Sequence, residues 1–168
     1  IDQRKIDGWN SKDFKNLPVF EKGLESLLRK TRNKNLFFSN NVSEQISKAD
    51  LIFICVNTPT KKNGVGAGKA SDLKWIELCA RQIAKYAKTH TVIVEKSTVP
   101  VKTAEVIEKI LNQESINSNK TFSVLSNPEF LAEGSAIKDL ENPQRVLIGG
   151  KDKKSLDLLR SIYSKWVD

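Results

Sequence analysis

Residues 91–105, TVIVEKSTVPVKTAE, decide the fold. A run of β-branched residues turns polar at EKST. Pro100 then stands where the first turn of a helix tolerates a residue without an N–H. The spacing predicts a strand over TVIVEKS, followed by a helix through VKTAEVIEKIL. An apolar strand without polar alternation fits a parallel sheet covered on both faces.

The same grammar extends in both directions. Upstream, LIFICV (51–56) reads as a fully buried strand broken by NTPT (57–60). A helix from about Asp72 to Lys88 follows, with Leu73, Ile76, Ala80, Ile83 and Ala87 on its inward stripe. Downstream, FSVLS (122–126) is a strand, and NPEFLAEGSAIKDL (127–140) a loop that becomes helical. RVLIGG (145–150) is a last strand and SLDLLRSIYSKW (155–166) a last helix. Nearer the start, QRKIDGWNS (3–11) reads as a helical turn that breaks at Gly8. FEKGLESLLRKT (20–31) is a helix with Leu24, Leu27 and Leu28 on one face, and NLFFS (35–39) a short strand. Asn41 precedes a further helix, with Glu44 three residues on in a capping arrangement. Strands alternating with crossover helices imply an α/β fold, a doubly wound parallel sheet with helices on both faces.

Composition narrows the function classes. With 168 residues, 39% hydrophobic, the chain is one ordinary domain with a real core. Its 28 basic and 20 acidic residues give a net charge of +8. They alternate along the chain, however, as in KDKKSLDLLR, so no basic face forms for nucleic acid. No apolar run spans a bilayer and no signal peptide opens the chain, which points to a soluble, cytoplasmic domain. Two cysteines, Cys55 and Cys79, build no disulfide framework; both read as core thiols. The chain opens at Ile1-Asp2 and contains no Met, as though cut from something longer.

In doubly wound sheets ligands collect beyond the carboxyl ends of the strands. Three polar segments fall there: NTPT, EKSTVP and NPEFLAEG. Val56, Asn57, Thr58 and Pro59 form either a rigid Asx- or Ser/Thr-type turn or a surface against a nucleotide. Ser97 and Thr98 are either a helix cap or hydroxyls that hold water or an anion. Glu95 and Lys96 are read as a local ion pair. Glu129 and Glu133, four apart, share a face if their segment is helical. A carboxylate beside Phe130, Leu131 and Ala132 suits general-base work; the alternative is a solvated first turn. Gly64, Gly66 and Gly68 give G-x-G-x-G away from a strand end, which is a flexible surface loop rather than a phosphate cradle. His90 reads as a surface residue, and no metal-ligand spacing appears.

These motifs, together with GWNS, DLKWIE and LENPQRVLIGG, resemble the amino-terminal NAD-binding domain of UDP-glucose 6-dehydrogenases, in the wider UDP-glucose/GDP-mannose dehydrogenase family. The resemblance covers essentially the whole chain in the family's order. It implies a partial NAD-binding domain over 1–168, an incomplete Rossmann-like fold lacking the first strand, the glycine-rich loop and the first helix. In the family's D-x-[ND]-x-x-[KR]-[IV] stretch, Ile1 falls at the first x and Lys5 at the basic position. The ribose-binding Asp would thus lie one residue upstream of Ile1. By the same resemblance, the central and carboxyl-terminal domains, with the family's nucleophilic Cys, are expected to lie outside these 168 residues.

The implied reaction oxidises UDP-glucose to UDP-glucuronate in two hydride transfers to NAD. Glu129 matches the family's general acid/base, and Thr98 the hydroxyl that holds the hydrolytic water. Lys5, Val56, Asn57, Thr58, Ser97, Thr98 and Glu133 match cofactor positions. Glu129, Phe130, Leu131, Ala132 and Glu133 match positions touching the nucleotide sugar. The parent enzyme is expected to be a homo-oligomer, dimer or hexamer, and this chain alone inactive. The competing expectations are a GDP-mannose or UDP-aminosugar dehydrogenase fragment and a non-catalytic nucleotide-binding relic.

Overall fold

A computed structural model describes residues 2–167; Ile1, placed above in the ribose-binding stretch, lies outside the described residues, as does Asp168. The chain divides into two compact units. One comprises Ile1–Val42, Phe130–Gln144 and Trp166–Asp168; the other comprises Ser43–Glu129 and Arg145–Lys165.

The larger unit is built on a sheet of four strands, β1 (Leu51–Ile54), β2 (Thr91–Glu95), β3 (Phe122–Ser126) and β4 (Gly149–Gly150), in that order. β1, β2 and β3 are parallel, whereas β4 runs antiparallel to β3. The sheet is therefore an α/β sheet of mixed topology, flanked by helices on both faces and consistent with an incomplete Rossmann-like fold. RVLIGG contributes only its two glycines to it. A Cβ on Gly150 would meet Leu125 Cδ2, so a larger residue there needs the leucine to shift.

β2 is the centre, with all five residues buried. Alternation sends Ile93 into a cluster with Ile76, Ala80, Ile83 and Ala84 of α4 (Lys74–Tyr86) and Ile107, Ile110 and Leu111 of α5 (Thr103–Glu114). Val92, Val94 and Leu125 are buried outside that cluster, as is Leu159 of α7 (Lys153–Tyr163). Each such side chain contributes about 1.5–3 kcal/mol of transfer free energy. The α4 stripe read from the sequence is the buried one.

Several expectations need correcting. β1 is not fully buried: it flanks the sheet, pairs with β2 alone among the described residues, and leaves Phe53 39% exposed. Cys55 lies just past its end and is exposed rather than in the core. Pro100 does not lie in the first helical turn, because α5 begins at Thr103 behind Lys102 in a left-handed conformation (φ 72°). That also removes Ser97 and Thr98 as its cap. The glycine loop is closed by main-chain bonds, Lys61 N–H to Ala70 O (2.7 Å) and Gly68 N–H to Lys61 O (2.9 Å).

The smaller unit is helical. α1 (Gln3–Asn10) starts at Asp2, whose carboxylate accepts the Arg4 N–H, and runs through Gly8 instead of breaking there. Gly8 serves close approach: a Cβ would stand 3.0 Å from Asn16 O and 3.1 Å from Pro18 Cγ. α2 (Leu24–Thr31) buries Leu28, while Leu27 is 37% exposed. NLFFS is not a strand. Phe38 stacks on Trp9 at 5.0 Å, and its carbonyl accepts from Asn10 Nδ2, so side chains hold this segment where a sheet partner was expected. α6 (Ala136–Glu141) also belongs to this unit, whereas α3 (Val42–Lys48), which begins directly after Asn41, lies past Val42 in the larger one.

Candidate active site

In the larger unit the carboxyl ends of the three parallel strands are tied to one another. The Lys96 N–H donates to Ile54 O (3.1 Å), and the Asn127 N–H to Glu95 O (2.8 Å). Ser97 Oγ donates to Ile54 O (3.2 Å) and accepts the Val56 N–H (2.9 Å). Thr58 Oγ1 donates to the Thr98 carbonyl (2.7 Å). Ser97 is buried, its hydroxyl donating once and accepting once between the strand ends. Asn57 and Thr98 are exposed, and so is Glu129, which follows β3. Val56, Asn57, Thr58, Ser97, Thr98 and Glu129 therefore all lie at the ligand-binding end of one sheet.

A second layer of bonds fixes the start of the Glu129 segment. Asn127 is 1% exposed; its Oδ1 accepts from the Tyr163 hydroxyl (2.6 Å) and its Nδ2 donates to Leu147 O (2.8 Å). Lys96 Nζ donates to Tyr163 (3.2 Å), so it does not form the expected ion pair with Glu95. Glu95 is instead buried, with Oε1 lacking a hydrogen-bond partner and Oε2 3.5 Å from Ser126 Oγ. Burial pushes its carboxyl up to about 7, opposed by the Ser126 bond. Partial desolvation by its neighbours raises the thiol of the otherwise exposed Cys55, with Lys96 opposing and Glu129 and Glu95 adding to the rise. A thiol so held is a poor nucleophile at neutral pH.

Lys5, Phe130, Leu131, Ala132 and Glu133 belong to the smaller unit. Lys5 is exposed on α1. Residues 127–135 form no helix, so Glu129 and Glu133 do not share a helical face. Gly134, left-handed at φ 87°, turns the chain there instead. The Asp139 carboxylate accepts from the Ala132 N–H (3.0 Å) and Ser135 Oγ (2.8 Å), which hold it below the usual carboxylate range. Glu21, which nothing in the sequence singles out, takes the N–H groups of Gly134 (3.1 Å) and Ala136 (3.0 Å). A lone carboxylate in FEKGL carries no local signal, because its partners lie more than 110 residues away.

The donor set suits a dinucleotide in part. Hydroxyls, a carboxamide and main-chain groups at parallel strand ends can meet ribose and nicotinamide. The G-x-G-x-G loop, closed on itself, supplies no pyrophosphate cradle. Among the described residues, no group of three His, Cys, Asp or Glu could hold a metal, and no helix is long and apolar enough to cross a membrane.

Such a sheet, with polar loops at its carboxyl end, defines a nucleotide-binding α/β domain. The model of the UDP-glucose/GDP-mannose dehydrogenase family, NAD binding domain, matches residues 1–167. The chain belongs to that family and is of its NAD-binding type. It is 52% identical over 171 residues to UDP-glucose 6-dehydrogenase 1 of Arabidopsis thaliana, covering 99% of this chain and 34% of the relative. It is 52% identical to UDP-glucose 6-dehydrogenase 3 of Oryza sativa subsp. japonica, with 99% and 35% covered. Among solved structures, a ternary complex of GDP-mannose dehydrogenase from Pseudomonas aeruginosa matches with TM-score 0.86 and 34% identity, over 100% of this chain and 38% of that one. The chain thus spans about a third of the length of these relatives.

Proposed function

We propose that this chain is the cofactor-binding part of a longer NAD-dependent enzyme that oxidises UDP-glucose at C6 to UDP-glucuronate. The observation that carries the reading is the position of Thr98 and Glu129 beyond neighbouring parallel strands, β2 and β3, tied through the Asn127–Glu95 main-chain bond. The likeness to plant UDP-glucose 6-dehydrogenases supports the substrate.

Bound NAD would supply the hydride acceptor for each oxidation. Val56, Asn57, Thr58, Ser97 and Thr98 would hold it, with Lys5 and Glu133 at further cofactor positions by the family's pattern. Phe130, Leu131, Ala132 and Glu133 line the nucleotide sugar. Thr98 Oγ orients the water of the hydrolytic stage, and Glu129 takes its proton as general base. The chain holds no nucleophilic Cys suited to the covalent stage, so alone it is inactive. The complete enzyme works in the cytoplasm as a homo-oligomer, dimer or hexamer.

A second reading, oxidation of GDP-mannose, is favoured by the 0.86 TM-score to the GDP-mannose enzyme. NADH formation by the complete protein with each sugar tests both. Turnover of UDP-glucose alone, at about two NADH per sugar as two hydride transfers require, is the expected result. Turnover of GDP-mannose alone would replace the first reading with the second.

A further inference from the structure

The Glu21 carboxylate reaches the turn at 134–136 from far away in the chain. Its two oxygens take one main-chain donor each: Oε2 accepts the Gly134 N–H at 3.1 Å and Oε1 the Ala136 N–H at 3.0 Å. Charge-assisted bonds of this kind are about twice as strong as neutral ones. The Ser135 N–H closes the turn on Ala132 O (3.2 Å), with Gly134 at φ 87° as its third residue. Glu21 is itself fixed from behind, since its carbonyl accepts the Leu24 N–H (3.1 Å) where α2 begins. The segment Phe130–Glu133 is therefore held at Ala132 by Asp139, and just past its end by Glu21. Asp139 acts locally. Glu21 joins this segment to the start of α2.

We propose that Glu21 is a positioning residue for the nucleotide sugar, acting by fixing the main-chain path of Phe130–Glu133. The inference rests on the reading of that segment as lining the sugar nucleotide. Glu21 touches no substrate itself; it sets how the segment is presented. Removing it hands the Gly134 and Ala136 N–H groups to water and loosens the turn, which the Asp139 and Ser135 bonds still close, so ground-state binding weakens more than the chemistry at Glu129.

The test uses the complete protein, with Glu21→Ala and Glu21→Gln compared with wild type on UDP-glucose, GDP-mannose and UDP-N-acetylmannosamine. On the sugar that wild type turns over, Glu21→Ala is expected to raise KM about tenfold, with kcat within about threefold. Glu21→Gln keeps one acceptor oxygen and recovers part of the loss. KM within about twofold of wild type in both variants would overturn the proposal. So would a fall in kcat at constant KM, which reports only a smaller folded fraction. If Glu21→Ala does not fold, Glu21→Gln decides on the same criterion. Wild-type turnover of GDP-mannose in place of UDP-glucose removes the substrate reading, and the KM split on GDP-mannose still decides the role of Glu21. Wild type inactive on all three sugars removes both.

Discussion

The Tyr163 hydroxyl on α7 donates to Asn127 Oδ1 at 2.6 Å, joining the last helix to the residue that leads from β3 towards Glu129. Both residues are buried, and the same hydroxyl accepts from Lys96 Nζ, just past the end of β2. The start of the segment that bears Glu129 is thus set by side chains and main chain of the larger unit alone.

Tyr163→Phe removes this donor while keeping the ring. Asn127 Oδ1 then stays buried without its partner, a loss of about 1–3 kcal/mol. Urea denaturation of wild type and variant checks this, and a loss below about 0.5 kcal/mol would count against it.

Glu95 makes stability depend on pH. Its folded pKa of about 7 lies above the ordinary 4.5, so the folded state holds the proton more tightly than the unfolded one. Its contribution is whole below pH 4.5 and is lost as pH rises through 7. The shift corresponds to about 3 kcal/mol. Glu95→Gln has no charge to bury and should gain on wild type between about pH 5 and 8 by that order. Parallel stability–pH curves for the two proteins would refute it.

Glu129→Gln keeps size and hydrogen bonding but cannot take a proton. In the complete enzyme kcat is expected to fall about 10²–10⁴-fold, the usual worth of general acid–base catalysis. NAD affinity, read by fluorescence titration, should stay within about twofold. An equal loss of cofactor affinity would assign Glu129 to binding.

Gly8→Ala drives a methyl group against Asn16 O and Pro18 Cγ, at 3.0 and 3.1 Å. Crowding of this kind costs about 1–3 kcal/mol, although alanine is the better helix former. Thermal melting decides which effect wins, and a raised Tm would show that the Asn16–Pro18 segment gives way.

Much of this architecture is legible in the residues. TVIVE reads as a central strand because both of its faces are covered, and the Ile76–Ala80–Ile83 stripe fixes α4. Strand ends are where polar residues interrupt apolar runs, so Thr58, Thr98 and Glu129 stand out by their place in the chain alone. Edges are harder to read. LIFI is as apolar as TVIV, and no local pattern reveals that Phe53 flanks the sheet. NLFFS has strand chemistry, yet Trp9 and Asn10 claim Phe38. Glu21 and Glu95 escape a local reading for one reason: their surroundings are assembled from distant segments.

The sheet's two flanks have different prospects for growth. On one, β4 runs antiparallel over Leu125 and Ser126, and the Leu125 side chain packs against Gly150. On the other, the backbone of β1 faces outward beside the half-open Phe53 ring. An unpaired strand edge is a template for pairing with further backbone. Crowded copies of this domain would therefore be expected to adhere first along Leu51–Ile54.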